Sequence, residues 1–210
     1  MLFDFDGTLA DTAADLAAAL NHLRIEKDLE ALKTEAVRPY ASMGARGMLR
    51  VGFGLKPEDA GYAELRDAFL RRYEERLHVE TRLFPGIAQL LEVFERKRIP
   101  WGIVTNKAMR FTEKLVRALA LSPDCVVAGD STPHLKPHPA SLLLAAEKLN
   151  LAPSSCDYLG DDLRDIQAAR AAGMRAVAVE WGYTSPDNGA PSAWNPDVLI
   201  REPLDLVSHL

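Results

Sequence analysis

Asp4-Phe5-Asp6-Gly7-Thr8-Leu9 closes the apolar run Met1-Leu2-Phe3 at the start of the chain. Residues 1–5 read as a short buried strand, and Asp6-Gly7-Thr8 as the turn that ends it. Alternate side chains of a pleated strand share a face, so Asp4 and Asp6 can converge on one point at the strand's carboxyl end. The strand is short, which leaves room for an upstream extension of the native chain.

Outward from this stretch the pattern becomes helical. Thr12-Ala13-Ala14-Asp15 has the form of a capping box, and Leu16, Leu20 and Leu23 follow at helical spacing. A second helix is expected after Pro57, with Tyr62, Leu65, Phe69 and Tyr73 as its apolar stripe and Gly61 weakening it. Residues 12–83 thus read as an all-helical unit. Beyond Phe84-Pro85-Gly86, strands at 101–104, 125–128, 157–159, 176–180 and 197–200 alternate with helices carrying Ile87 to Phe94, Phe111 to Leu119, Ser141 to Leu149 and Asp162 to Ala172. Gly173 suits the position after the last of these helices, and residues 184–196 read as a loop. The alternation predicts an α/β fold with a doubly wound parallel sheet, whose ligands bind beyond the carboxyl ends of the strands.

Composition narrows the partners. The 210 residues are 48% hydrophobic with a formal net charge of -5, enough apolar material for a core but no general field for nucleic acid or an anionic membrane. Cys125 and Cys156 form no C-x-x-C pair, so neither a disulfide framework nor a zinc site is expected, and the reading is a cytoplasmic protein without a membrane span. His22, His78, His134, His138 and His209 lack metal-ligand spacing and are expected on the surface or in ordinary hydrogen bonds.

The strand ends carry the chemistry. Gly160-Asp161-Asp162-Leu163-Arg164-Asp165 follows one strand and opens a helix, bringing more acids to the edge that holds Asp4 and Asp6. So many carboxylates require protonation or a cation, and oxygen-only ligands point to Mg2+. Thr105-Asn106 supplies a hydroxyl and backbone N–H groups suited to phosphate, and Lys136 in Lys136-Pro137-His138-Pro139 supplies an ammonium on a stiff mount.

Asp4-x-Asp6-Gly-Thr-Leu, Thr105-Asn106, Lys136-Pro137 and Gly160-Asp161-Asp162-x-x-Asp165, in this order, resemble the haloacid dehalogenase superfamily over nearly the whole chain. The helical unit resembles the inserted cap of its phosphoglycolate phosphatase and phosphomutase branch, implying a catalytic core of residues 1–11 and 84–210 with a cap of residues 12–83. Trp101 to Lys107, Gly160 to Asp165, Trp181-Gly182-Tyr183 and Ala193-Trp194 are further similar to bacterial phosphatases that act on N-acetylmuramic acid 6-phosphate.

The resemblance implies a phosphatase for a small phosphorylated metabolite, monomeric or homodimeric. Asp4 would be the nucleophile and Asp6 the acid and base. The Asp4 carboxylate, the Asp6 carbonyl and Asp161 would ligate magnesium, while Thr105, Asn106 and Lys136 would hold the phosphoryl oxygens. Asp165 would order metal-bound water or Lys136 from behind, and Asp162 would stand with it in that outer layer. Arg46, between Gly44 and Gly47 in what would be a substrate-reading loop, either recognises a carboxylate or phosphate of the substrate or is a solvated arginine. Lys107 and Arg110 either face the pocket rim or coat a helix. The rival readings are a sugar phosphomutase of the same branch, a dehalogenase, and a phospho-accepting module without turnover.

Overall fold

The computed structural model describes residues 1–210. In chain order it runs β1 (Leu2–Phe3), β2 (Ala10–Asp11), α1 (Ala13–Ile25), α2 (Thr34–Val37), α3 (Gly44–Phe53), α4 (Tyr62–Glu75) and β3 (Arg82–Leu83). It continues α5 (Ile87–Lys97), β4 (Gly102–Val104), α6 (Met109–Ala118), β5 (Cys125–Val127), α7 (Ala140–Lys148), β6 (Asp157–Gly160), α8 (Leu163–Ala171), β7 (Arg175–Val179) and β8 (Val198–Ile200). No helix is long and apolar enough to cross a membrane.

Six strands form one parallel sheet in the order β5-β4-β1-β6-β7-β8. The reversal of direction at β1 is the switch point, and β1 lies between β4 and β6 with Leu2 opposite both Gly102 and Tyr158. Alternation along the strands divides the core between two faces. Phe3, Ile103 and Leu159 pack with Leu90 and Phe94 of α5 and with Phe111 and Leu115 of α6. Leu2, Val104 and Tyr158 pack on the other face with Leu142 of α7 and with Ile166 and Ala169 of α8. The first of these clusters continues without a break into Leu16, Leu20, Leu65, Phe69 and Tyr73 of the helical unit. Where the chain leaves and re-enters the sheet region, β2 and β3 pair antiparallel, Ala10 with Leu83 and Asp11 with Arg82.

Three local expectations change. Thr12 and Asp15 do not form a capping box. The Thr12 hydroxyl donates to Asp6 Oδ1 at 2.5 Å, while the buried Asp15 carboxylate accepts from Glu80 N, Thr81 N and Thr81 Oγ1. The first N–H groups of α1, on Thr12 and Ala13, donate instead to the phenol of Tyr183 at 2.6 and 3.1 Å, so a distant side chain fills the capping role. Gly61 does not interrupt α4; it precedes the helix with φ +81°, a conformation that glycine adopts without strain. Arg46 belongs to the first turn of α3 rather than to a loop, and the glycine after it serves packing, since a Cβ at Gly47 would stand 2.3 Å from Tyr40 O.

Candidate active site

Asp4 lies one residue past β1, and its N–H continues the sheet ladder to Leu159 O at 2.9 Å. The chain then turns at Gly7 with φ +88°, and a Cβ there would lie 2.1 Å from Asp161 Oδ2. Only glycine lets the turn after β1 approach the acid that follows β6. Asp4, Asp161 and Asp165 are all buried, and each offers an oxygen within 4.8 Å of the others.

One ammonium serves this group. Lys136 Nζ lies 2.7 Å from Asp165 Oδ1 and 2.9 Å from Asp4 Oδ1, and also donates to Tyr158 Oη and Val104 O. Burial alone would lower its pKa, but the two carboxylates raise it, so it remains charged. The contact with Asp4 is at ion-pair distance but off the hydrogen-bonding direction, so Asp4 Oδ1 is buried without a hydrogen bond. Asp161 accepts only from neutral donors: Thr8 Oγ1 at 3.1 Å, Ser42 Oγ at 2.8 Å and Tyr183 N at 3.0 Å. Its pKa is raised well above the ordinary value, first by burial and then by Asp4 and Asp165. Asp165 is pushed up to about 7, with burial outweighing Lys136. An unpartnered buried oxygen and a carboxylate with no cation are deficits of positive charge, and three hard oxygen donors suit a divalent ion such as magnesium.

Asp6 stands apart from this trio. Its Oδ1 receives the Thr12 hydroxyl and lies 3.1 Å from Lys107 Nζ. Lys107 also donates to the Tyr73 hydroxyl at 3.0 Å, and its ammonium is 4.7 Å from that ring's centre. Burial pushes the Tyr73 phenol up to about 12, although Lys107 acts against the shift. Thr105 is buried just beyond β4, and its hydroxyl accepts from Lys107 N. Asn106 turns its side chain to the Lys136 main chain, donating to Lys136 O and accepting from Lys136 N. The amide therefore fixes the strand of chain from which the Lys136 ammonium is aimed.

These residues meet at a cavity of about 320 Å³. Asp4, Asp6, Thr105, Asn106, Lys136, Asp162 and Asp165 line its sheet end, and Arg46 its helical side. Lys107 and Arg110 line it too, so the pocket alternative describes both of them. Asp161 lies behind the wall, 1% exposed. Asp162 opens α8 in a capping box with Asp165 and pairs with Arg164 at 2.7 Å, which holds its pKa low despite burial. No histidine lines the cavity, and Cys125 and Cys156 are buried free thiols.

Several contributors carry no sequence signal. Ser42 reaches Asp161 from a short 3-10 turn between α2 and α3, and Arg164 donates to the Ser42 carbonyl at 2.9 Å. Tyr158 reads as one more apolar strand residue, yet its hydroxyl touches Lys136. Thr8 was visible only as part of the Asp-Gly-Thr string.

Comparison with known proteins agrees with this geometry. Residues 1–179 match the family model for haloacid dehalogenase-like hydrolases. The chain is 41% identical over 208 residues to N-acetylmuramic acid 6-phosphate phosphatase of Pseudomonas putida, covering 98% of this chain and 93% of that protein. It is equally 41% identical over 208 residues, with the same coverage, to phosphoglycolate phosphatase of Xanthomonas campestris pv. campestris. Its fold superposes with a TM-score of 0.86 and 25% identity on a crystal structure described as a predicted phosphoglycolate phosphatase from Haemophilus somnus, covering 99% of this chain and 96% of that one.

Proposed function

Because the chain belongs to the haloacid dehalogenase-like hydrolases, we propose that it is a phosphatase for a small phosphorylated metabolite, with Asp4 as nucleophile. The observation that carries this reading is the meeting of Asp4, Asp6, Thr105 and Lys136 on one cavity, with Asp161 directly behind it.

In the first step an Asp4 carboxylate oxygen attacks phosphorus, the ester P–O bond breaks, and Asp6 gives a proton to the departing alkoxide. In the second, water attacks the aspartyl-phosphate, Asp6 takes the water proton, and the Asp4–phosphorus bond breaks to release inorganic phosphate. Thr105, the Asn106 main chain and Lys136 hold the phosphoryl oxygens, over which negative charge spreads in the transition state. The Asp4 and Asp161 carboxylates and the Asp6 carbonyl would hold magnesium, which supplies Lewis-acid neutralisation of phosphoryl charge when bound. Asp165 keeps the Lys136 ammonium in place. Residues 12–83 act as a cap, with Ser42, Arg46 and Tyr73 closing the cavity and limiting water.

The relatives divide between two substrates, and the cavity favours the larger. A two-carbon ester such as phosphoglycolate leaves much of the roughly 320 Å³ space empty. A sugar phosphate bearing a carboxylate, such as N-acetylmuramic acid 6-phosphate, has in the same cavity Lys136 for its phosphate, Arg46 for its carboxylate and the apolar wall of Phe69, Leu70 and Phe111 for its ring. The test is phosphate release from both esters and from hexose phosphates, with and without magnesium. The expected result is magnesium-dependent release, greatest for the carboxylated sugar phosphate and abolished by Asp4→Asn. An undiminished Asp4→Asn rate would reject the nucleophile. Transfer of phosphate to sugar instead of water would favour the mutase.

A further inference from the structure

We propose that Lys107 is a positioning residue for Asp6, and that Tyr73 ties this positioning to the presence of the helical unit over the site. The inference rests on the phosphatase reading, in which Asp6 protonates the leaving group.

The geometry is specific. Asp6 Oδ1 accepts the Thr12 hydroxyl at 2.5 Å and pairs with the Lys107 ammonium at 3.1 Å, an ion-pair contact off the hydrogen-bonding direction. A carboxylate turns readily about its terminal torsion. A hydrogen bond and an ion pair on one oxygen together oppose that rotation and leave Oδ2 for the reacting group. Lys107 is itself held on both sides. Its main chain donates to Thr105 Oγ1 and accepts from Gly129 N at 2.8 Å, and its side chain is only 7% exposed.

Tyr73 completes the arrangement from α4. Its ring stacks on Phe69 with centroids 6.3 Å apart and meets Phe111 edge-on at 5.6 Å, so its hydroxyl cannot wander. Lys107 comes from the sheet-end loop, whereas Tyr73 comes from the helical unit. If that unit lifts, the ammonium loses its phenol and its aromatic face together and can follow solvent instead of Asp6. The acid is then well oriented only while the substrate is enclosed.

The test is kcat/KM for Lys107→Met, Lys107→Arg and Tyr73→Phe over a series of phosphate monoesters lacking a second anionic group, from p-nitrophenyl phosphate to simple alkyl phosphates. This parameter reports the steps through leaving-group departure, and only poor leaving groups need the proton. General acid catalysis supplies about 10²–10⁴-fold, so Lys107→Met should lose about tenfold or more on alkyl esters and less than about threefold on p-nitrophenyl phosphate. Its dependence on leaving-group pKa steepens, Lys107→Arg restores part of the loss, and Tyr73→Phe shifts the same way by less. A uniform loss across the series would overturn the proposal, since lost folding or lost substrate contact has no leaving-group dependence. Tyr73→Phe indistinguishable from wild type would overturn the tie to the helical unit. Failure of the wild type to hydrolyse any ester, or survival of activity in Asp4→Asn, would instead strike the phosphatase reading.

Discussion

Replacing Asp161 by Asn should make the metal-free protein more stable and its stability indifferent to magnesium. Oxygens of Asp4, Asp161 and Asp165 lie within 4.8 Å of one another. At that separation and an effective dielectric constant of about 20, each like-charged pair costs about 3.5 kcal/mol. Two such pairs involve Asp161, so its charge meets repulsion on the order of 7 kcal/mol before relief. Lys136 and proton uptake remove most of that, leaving about 2 kcal/mol for the substitution to recover.

The amide can keep all three hydrogen bonds that the carboxyl makes. Its oxygen can accept from Ser42 Oγ and Tyr183 N, which both reach Oδ2, and its NH2 can donate to the Thr8 hydroxyl, which can turn to accept. In a chelator the variant should melt about 4–8 °C above wild type, using about 2–4 °C per kcal/mol for a chain of this size. Magnesium at a hundred times its Kd should stabilise wild type by about 2.7 kcal/mol and the variant far less. Thermal melts of both proteins in EDTA and in magnesium chloride decide it. A variant that melts below wild type in EDTA, or that keeps the full magnesium increment, would refute the charge-repulsion argument.

The same carboxyls set a pH dependence. Asp161 and Asp165 have folded pKa values above the ordinary 3.8, the latter at about 7, so the folded state binds protons that the unfolded state releases. Their contribution is complete below about pH 4 and is lost as pH rises through the folded value of each, which for Asp165 is about 7. In EDTA the stability advantage of Asp161→Asn over wild type should therefore grow as pH rises above about 4, as urea melts at successive pH values would read; a constant difference would be contrary. Tyr183→Phe removes the phenol that receives Thr12 N and Ala13 N and donates to Asp11 Oδ1. Leaving those donors unmet should cost about 2–3 kcal/mol, a fall in melting temperature of about 4–12 °C. An unchanged melt would show that another group caps α1.

The strand ends were legible because each is marked locally. Asp-Gly-Thr after an apolar run, Lys-Pro before a helix, and Gly-Asp-Asp followed by an acid one helical turn later are turn chemistry that can be read in windows of a few residues. The alternation from Ile87 onward likewise gave the parallel sheet, with element ends off by a residue or two. What escaped is nonlocal. Tyr183 caps a helix 171 positions away in sequence, and Ser42 touches Asp161 across 119, so neither pairing leaves a periodic trace. The capping box at Thr12 misleads because the motif has the right letters, but Asp6 claims the Thr12 hydroxyl and the Glu80–Thr81 segment claims the Asp15 carboxylate. Lys107 could be narrowed only to a pocket or a surface, since an ammonium preceding an amphipathic helix suits either until Tyr73 is located.

The shared apolar cluster that joins α1 and α4 to one face of the sheet also bears on how such a protein can be re-engineered. Leu16, Leu20, Phe69 and Tyr73 are packed in the same body as Phe111, Leu115 and Phe94. A helical insertion taken from a relative with a different specificity therefore brings half of a jigsaw whose other half stays behind. Chimeras exchanged at the ribbon of β2 and β3 should need compensating changes on α5 and α6 before a new substrate preference can be read at all.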